Sequence, residues 1–324
     1  MSKEMIEEYN CENEKPEFKK YEPITEEKFR KIIKSEFKIN PEKIIELWIK
    51  RLNNSLENIS KKTNSEYSKA INDDGEERDS VLLNKDGTTR MNAFNKGEAG
   101  PYRKEDKSDK EYIKYLEKEW EKKEGWSEEK KEKNFGELWE KAKTIILNKI
   151  IGSKFIVARA SKYDNYKNGV DNVIVDEGNI AGAFDEVSAE EGTRKEAEKS
   201  EKVEEKNKEG GATIKYGITV NREKQIIKKE VNNVPVFYLR LSGKELVKTL
   251  NEMDYESKEP SKVELNVFDN LIDSLKEQLE ELKSRNLSEN ENKEGVKTMM
   301  ANAEKFEVSL GKIEKLREKF NANK

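Results

Sequence analysis

Acidic residues mark the ends of two β-branched segments near the middle of the chain, and their placement is the strongest chemical signal in it. Asp171 precedes the segment VIV, and Asp185 and Glu186 follow the segment IAGAF. A carboxylate drawn to the end of a sheet costs free energy unless it has a partner. A divalent cation shared between the strand ends would be such a partner, so the pattern predicts a metal site built from oxygen ligands.

The rest of the composition narrows that chemistry. The chain has no histidine and a single cysteine, Cys11. Catalysis by Ser-His-Asp or Cys-His groups is therefore excluded, and so are histidine metal sites and cysteine-based structural zinc sites. Carboxylate, carbonyl and water oxygens favour hard cations, and Mg²⁺ or Mn²⁺ is the expected cofactor.

Regular elements must hold these carboxylates in place. Alternation of apolar residues predicts strands over Val170–Val175 and Ile180–Val187, and the glycine-containing turn between them predicts a hairpin. An amphipathic helix around Trp139 and a strand over 154–160 come before the hairpin. After it, the capping-box pattern TRKE predicts a lysine-rich helix ending near Lys208, and the segment VPVFYLRL predicts a further strand.

This order of elements, together with the segments GVDNVIVD, AFDEV, IKYGI and VPVFYL, resembles the PD-(D/E)xK nuclease superfamily. The resemblance implies an α+β or α/β class, with a restriction-endonuclease-like mixed sheet flanked by helices. It also implies hydrolysis of phosphodiester bonds in DNA or RNA with Mg²⁺ or Mn²⁺. Asp171 and Asp185 would be metal ligands, Glu186 a ligand or a support for one, and Glu137 or Glu140 a further carboxylate, with Glu137 preferred.

One feature of that superfamily is missing. Its lysine should follow the acidic ligand by two residues, where this chain has Val187, or Ser188 if Glu186 is the ligand. Lys195 or Lys199 from the following helix would have to reach back to the carboxylates. The alternative for these lysines is an ordinary solvated face of a charged helix.

Four regions are predicted along the chain. Residues 1–59 form a tail and helices, the second of which is capped by Asn40 and has Pro41 at its first position. Residues 60–110 form a largely disordered linker with a local anchor at 81–83, and residues 111–258 form the nuclease-like core. Residues 259–324 form a helical hairpin or coiled coil, whose heptad-like apolar residues predict packing or assembly of a homo-oligomer.

Composition permits two classes of function. With 33% hydrophobic and 41% charged residues, the whole length is not expected to form one compact core. The net charge of −4 neither favours nor excludes binding of nucleic acid. No apolar leader or membrane-length run is present, so a cytoplasmic protein with no membrane partner is expected. The alternative to a nuclease is a catalytically inactive nuclease-fold or helical adaptor with a binding or assembly role.

Overall fold

The computed structural model describes residues 26–38, 40–71, 77–91, 103–125, 127–176, 179–188, 194–221, 223, 225–284 and 294–322. In these ranges the helices are α1 (Glu26–Phe37), α2 (Pro41–Glu66), α3 (Arg103–Glu124), α4 (Glu128–Glu132), α5 (Phe135–Ile151), α6 (Lys162–Asn168), α7 (Arg194–Lys208), α8 (Gly243–Glu252), α9 (Lys262–Ser284) and α10 (Glu294–Ala322). The strands are β1 (Lys69–Ile71), β2 (Glu77–Asp79), β3 (Ile156–Arg159), β4 (Asn172–Asp176), β5 (Asn179–Ser188), β6 (Ala212–Ile214), β7 (Ile218–Val220), β8 (Ile226–Lys228), β9 (Val231–Val234) and β10 (Val236–Leu241). The predicted α+β class is confirmed.

A four-stranded mixed sheet organises the molecule, in the order β10-β5-β4-β3. Strands β3, β4 and β5 form an antiparallel meander, and β10 runs parallel to β5. Alternate residues of a strand point to opposite faces. Phe184 and Phe237 accordingly join the large core formed with α5, α9 and α10, whereas Ala183 and Val236 join a second core with Val203 of α7 and the smaller sheets.

The two smaller sheets lie against that second core. One has the order β2-β1-β8-β7 and the other pairs β6 with β9. The predicted hairpin and the strand before it are present, with bounds shifted by one to two residues. The segment between them, which carries no strong apolar period, forms the short helix α6, capped by Ser161 and ended by Gly169 at φ 57°.

The region predicted as a linker differs from that prediction wherever it is described. Helix α2 continues to Glu66, β1 and β2 follow, and the chain then lies along the outer edge of β3. The Asn64 side chain accepts hydrogen bonds from the amides of Leu82 and Leu83, at 2.9 and 2.8 Å, and both leucines are buried. Long-range burial of a short apolar segment orders residues that have no periodicity of their own. Residues 72–76 and 92–102 lie outside the described ranges.

The C-terminal helices form the predicted hairpin, but they pack on the chain itself. Ion pairs joining α9 to α10, such as Lys283 with Glu307 and Asp269 with Arg317, show that the two helices run antiparallel. Their apolar stripes are buried, and the Phe306 ring lies 4.7 Å from that of Phe237 in the central sheet. The homo-oligomer expected to form through these faces stays a prediction. The packing does not support it, because the faces are covered within the chain. None of the helices in the described ranges has the length and apolar character needed to span a membrane.

Two side-chain amides close the outer edge of β10. Asn207 of α7 accepts a hydrogen bond from the Val236 amide at 3.0 Å and donates one to its carbonyl at 2.8 Å. Gln278 of α9 pairs in the same way with Tyr238, at 2.9 and 2.8 Å. Unpaired strand edges invite pairing with other chains, so these amides stand in for a fifth strand.

Replacing Gln278 with glutamate is expected to destabilise the protein. The carboxylate keeps an acceptor for the Tyr238 amide but loses the donor to the Tyr238 carbonyl, which should lower the free energy of unfolding by about 1–3 kcal/mol. Urea denaturation followed by circular dichroism measures the loss. The exposed neighbour Glu277 provides a control, since Glu277→Gln should change the free energy by less than about 0.5 kcal/mol. Equal stability of the two variants would contradict the role given to the amide.

Candidate functional site

The start of β4 brings two aspartates together. Asn172 pairs with Phe184, and the Asp171 amide donates to the Phe184 carbonyl at 2.8 Å. Asp171 immediately precedes β4, and Asp185 follows Phe184 in β5, so the two side chains come together where β4 begins, and their carboxyl groups interact. Like charges held close together on neighbouring strands destabilise a sheet unless a proton or cation lies between them.

Burial and neighbouring carboxylates raise the pKa of two acidic groups at this site, Asp171 and Glu140. Withdrawal from water, and then the nearby Asp185 carboxylate, raise the pKa of Asp171 to about 7. Burial also raises the pKa of Glu140 on α5 to about 7, with Asp171 adding to the shift and Arg159 opposing it. Ionisation of Asp171 and Glu140 is therefore poised near neutral pH, as is typical of sites that bind cations or move protons.

Two lysines bring positive charge to the carboxylates. The ammonium of Lys199 on α7 forms an ion pair with Asp185, which is 6% exposed. Lys143 on α5 is fully buried and interacts electrostatically with both Asp171 and Asp185. Burial lowers the pKa of Lys143 to about 7, although Asp171 and Glu140 oppose the shift.

Helix α6 positions Asp171 from the side. The Asn165 amide donates a 2.7 Å hydrogen bond to Oδ1 of Asp171. Buried Asp164, next to it, accepts hydrogen bonds from the Ser161 hydroxyl and from the backbone amides of Lys215 and Tyr216. The helix is therefore anchored at its start and to the chain after β6. Because Asn165 orients one carboxylate oxygen of Asp171, the other oxygen remains available to Asp185 or to a cation.

A buried ionic cluster adjoins the aspartate pair. Arg159, at the end of β3, donates to Glu137 at 2.8 Å and to Glu140 at 3.2 Å. Glu137 also lies 3.4 Å from Lys141 and 3.9 Å from Lys131. Although burial opposes it, these three cations lower the pKa of Glu137 to about 2. Glu137 is thus occupied by structural ion pairs, whereas Glu140 is the α5 carboxylate that acts electrostatically on Asp171.

The structure brings together some of the predicted site residues. Asp171, Asp185 and Lys199 meet where β4 begins. Asp185 lies inside β5 rather than at its expected end, because β5 continues to Ser188 beside β10. Glu137 lies behind Arg159 in the wall of an adjoining narrow pocket. Glu186 lies in β5 and Lys195 in α7, but their side chains lie outside the described part of the structure. No group of three or more acidic or cysteine side chains in the described ranges is arranged to hold a metal ion.

The donor set nevertheless suits a hard divalent cation. Mg²⁺ in proteins commonly takes only one or two carboxylates, with waters and substrate phosphate oxygens completing its octahedron. Asp171 and Asp185 supply two carboxylates whose repulsion a cation would relieve. Both are oxygen donors, and the absence of histidine from the sequence leaves no competing imidazole ligand. The residues present therefore fit Mg²⁺ or Mn²⁺.

Sequence reasoning missed three residues that the fold delivers to this region. Lys143 lies three positions after Glu140 on α5, a spacing that puts both on one side of the helix. A lysine within the otherwise apolar run AKTII was a signal of a buried charge. Asn172 accepts a 2.7 Å hydrogen bond from Thr144, which ties β4 to α5. Arg159 carried no signal of its own, because it is one basic residue at a strand end.

The three comparisons of the chain with known proteins gave one result. No protein-family model, no curated protein and no solved structure matches it.

Proposed function

We propose that this protein is a divalent-metal-dependent nuclease-like hydrolase, which cleaves phosphodiester bonds of DNA or RNA at the Asp171–Asp185 pair. The observation that carries the proposal is the interacting pair of carboxylates of Asp171 and Asp185, with Lys143 and Lys199 beside it. The order α5-β3-α6-β4-β5-α7, followed after the short strands β6 to β9 by β10, and the mixed sheet also support a restriction-endonuclease-like core. The pair lies beside a narrow pocket to which Asp171 contributes.

Each residue has a distinct part in this proposal. Asp171 and Asp185 would hold Mg²⁺ or Mn²⁺, which would supply charge neutralisation at the phosphate and lower the pKa of a water. Asn165 orients Asp171 through its 2.7 Å hydrogen bond. Lys143 and Lys199 place positive charge where a phosphodiester would come against the carboxylates. Lys143 thus takes the place of the lysine that the strand lacks at Val187.

Calorimetric titration with Mn²⁺ and Mg²⁺ tests the metal site. The wild type is expected to bind one ion per chain, and Asp185→Asn should lose that binding while staying folded by circular dichroism. Labelled single- and double-stranded DNA and RNA should then be cut in Mn²⁺ or Mg²⁺ and left intact in EDTA. Absence of both ion binding and cleavage in a folded wild type would overturn the proposal.

Lys143→Met is expected to lower the cleavage rate by about 100-fold or more, because removal of a buried cation leaves charge on the phosphate uncompensated. Ion binding should persist, since Lys143 is not a ligand. Lys141→Met is the matched control: Lys141 is equally buried on α5 but pairs with Glu137. Cleavage by Lys141→Met should stay within about threefold of wild type. Comparable activity of the two variants would remove Lys143 from the site.

A second candidate is a nuclease-fold adaptor without catalysis. The ion pair of Asp185 with Lys199 favours it, because the cluster then compensates its own charge without a metal. Arg159 likewise satisfies Glu137 and Glu140 internally. In that case Asp171→Asn and Lys199→Met would leave every measured binding activity unchanged, and neither Mn²⁺ nor Mg²⁺ would raise the stability of the wild type.

A further inference from the structure

A cavity separate from the carboxylate pair lies at the other end of α5, and we propose that it binds the base of a nucleoside or mononucleotide. The cavity has a volume of about 470 Å³ and is bounded by α2, the end of α5, the turn after it, and residues 255–258. That volume is within the range of natural small-molecule sites. None of the residues that line it belongs to the carboxylate site.

Part of the lining of the cavity, its floor, is apolar. Ile59 of α2, Ile145 of α5, and Phe155 and Ile156 after it supply this surface. Ile145, Phe155 and Ile156 are buried in the cores, which holds the floor rigid. A planar heteroaromatic ring buries much apolar area for little loss of conformational entropy, so it gains from a preformed floor of this kind.

Asn148 supplies a fixed acceptor in the wall. Its amide nitrogen donates to the carbonyls of Thr144 at 3.0 Å and Val157 at 3.1 Å. Both amide hydrogens are thus used, and the side chain cannot rotate without losing them. The oxygen Oδ1 lies toward Gly152, where an added Cβ would come within 3.0 Å of it. Gly152 and Asn148 both line the cavity, so a ring N–H or exocyclic amine can meet this oxygen.

The mouth of the cavity leaves room for a sugar or phosphate. Lys62 on α2 and Lys258 in the loop are exposed at the mouth, with Glu66 and Glu256. Lys149, by contrast, is held in a buried ion pair with Glu264 at 2.7 Å. Because the mouth carries two lysines and two glutamates, its net charge selects no ligand, and we expect recognition to come from the base. The two exposed lysines can add affinity for a 5′-phosphate.

Calorimetric titration of the full chain with adenosine, AMP and purine riboside tests the proposal. Adenosine or AMP should bind one per chain, and purine riboside, which lacks the exocyclic amine, should bind about tenfold more weakly. Thr63→Trp fills the cavity from α2 and should abolish binding. Lys61→Trp, an exposed position on the same helix that does not line the cavity, should bind as wild type does.

Other outcomes would overturn the inference. Asp171→Asn must leave adenosine binding unchanged, because loss of binding there would place the ligand at the carboxylates. Undiminished binding by Thr63→Trp would place it elsewhere, and purine riboside binding equal to that of adenosine would remove the role of Asn148. Binding of 8-anilinonaphthalene-1-sulfonate without any binding of adenosine or AMP would show an apolar crevice that recognises no base.

Discussion

Asp171→Asn is expected to abolish cleavage and, at the same time, to raise the free energy of unfolding above pH 7. Loss of a metal-holding carboxylate removes several kcal/mol of stabilisation from the transition state, which corresponds to about 10³-fold or more in rate. The amide keeps the size of the carboxyl group but carries no charge opposite Asp185. A substitution that lowers the rate and raises the stability is expected where catalysis requires a charge that destabilises the folded state.

The stability effect has a defined sign with pH. The pKa of Asp171 is raised in the folded state to about 7, above its ordinary value of 3.8. The protonated group thus favours folding at low pH, and that contribution is lost as pH rises through 7. Wild type and Asp171→Asn should be equally stable near pH 4. Near pH 8 the variant should be more stable by roughly 2 kcal/mol, allowing for the partial exposure of Asp171.

Denaturant titrations of both proteins from pH 4 to 8 measure this difference. Asp176→Asn is the matched control, because Asp176 lies at the other end of the same strand and pairs with Lys312 and Ser309. It should retain cleavage. Mg²⁺ should stabilise the wild type and not Asp171→Asn. A variant that cleaves normally, or one that is less stable than wild type at pH 8, would contradict the assignment of Asp171.

Arg159→Met is expected to give the largest loss of stability. The guanidinium compensates Glu137 and Glu140, both of which lie between α5 and β3. Removing one member of a buried ion cluster leaves uncompensated charge, which costs about 3–5 kcal/mol. Denaturant titration at pH 7 measures this loss. Arg159→Lys should recover only part of it, because one ammonium cannot meet two carboxylates with a fork of donors.

Acid should reduce the difference between Arg159→Met and wild type. The pKa of Glu137 is lowered to about 2 in the folded wild type, so its stabilising contribution is present above its ordinary value of 4.5 and is lost as pH falls toward 2. The combination Arg159→Met, Glu137→Gln and Glu140→Gln removes the charges together and should restore most of the stability at pH 7. A triple variant no more stable than Arg159→Met would show that the arginine acts by packing.

Many of the helices and strands of this protein could be predicted from its sequence, because neighbouring residues specify them. Asn40 and Pro41 begin α2 as predicted, Ser242 and Glu245 form a capping box on α8, and α5 forms where the apolar residues around Trp139 predict a helix. The residues that indicate each helix lie within three or four positions of each other, so the helix can be predicted without knowledge of distant parts of the chain. The hairpin was found for the same reason.

The amino-acid sequence alone determined the type of chemistry open to the site, because a chain without histidine and with one cysteine offers oxygen ligands and lysines. Only the tertiary structure decided which of those groups meet. It brought Lys143 to the aspartates, assigned Glu137 to Arg159 and buried the faces of α9 and α10 within the chain. Periodicity shows that a face is apolar, but what covers that face depends on packing between segments far apart in the sequence.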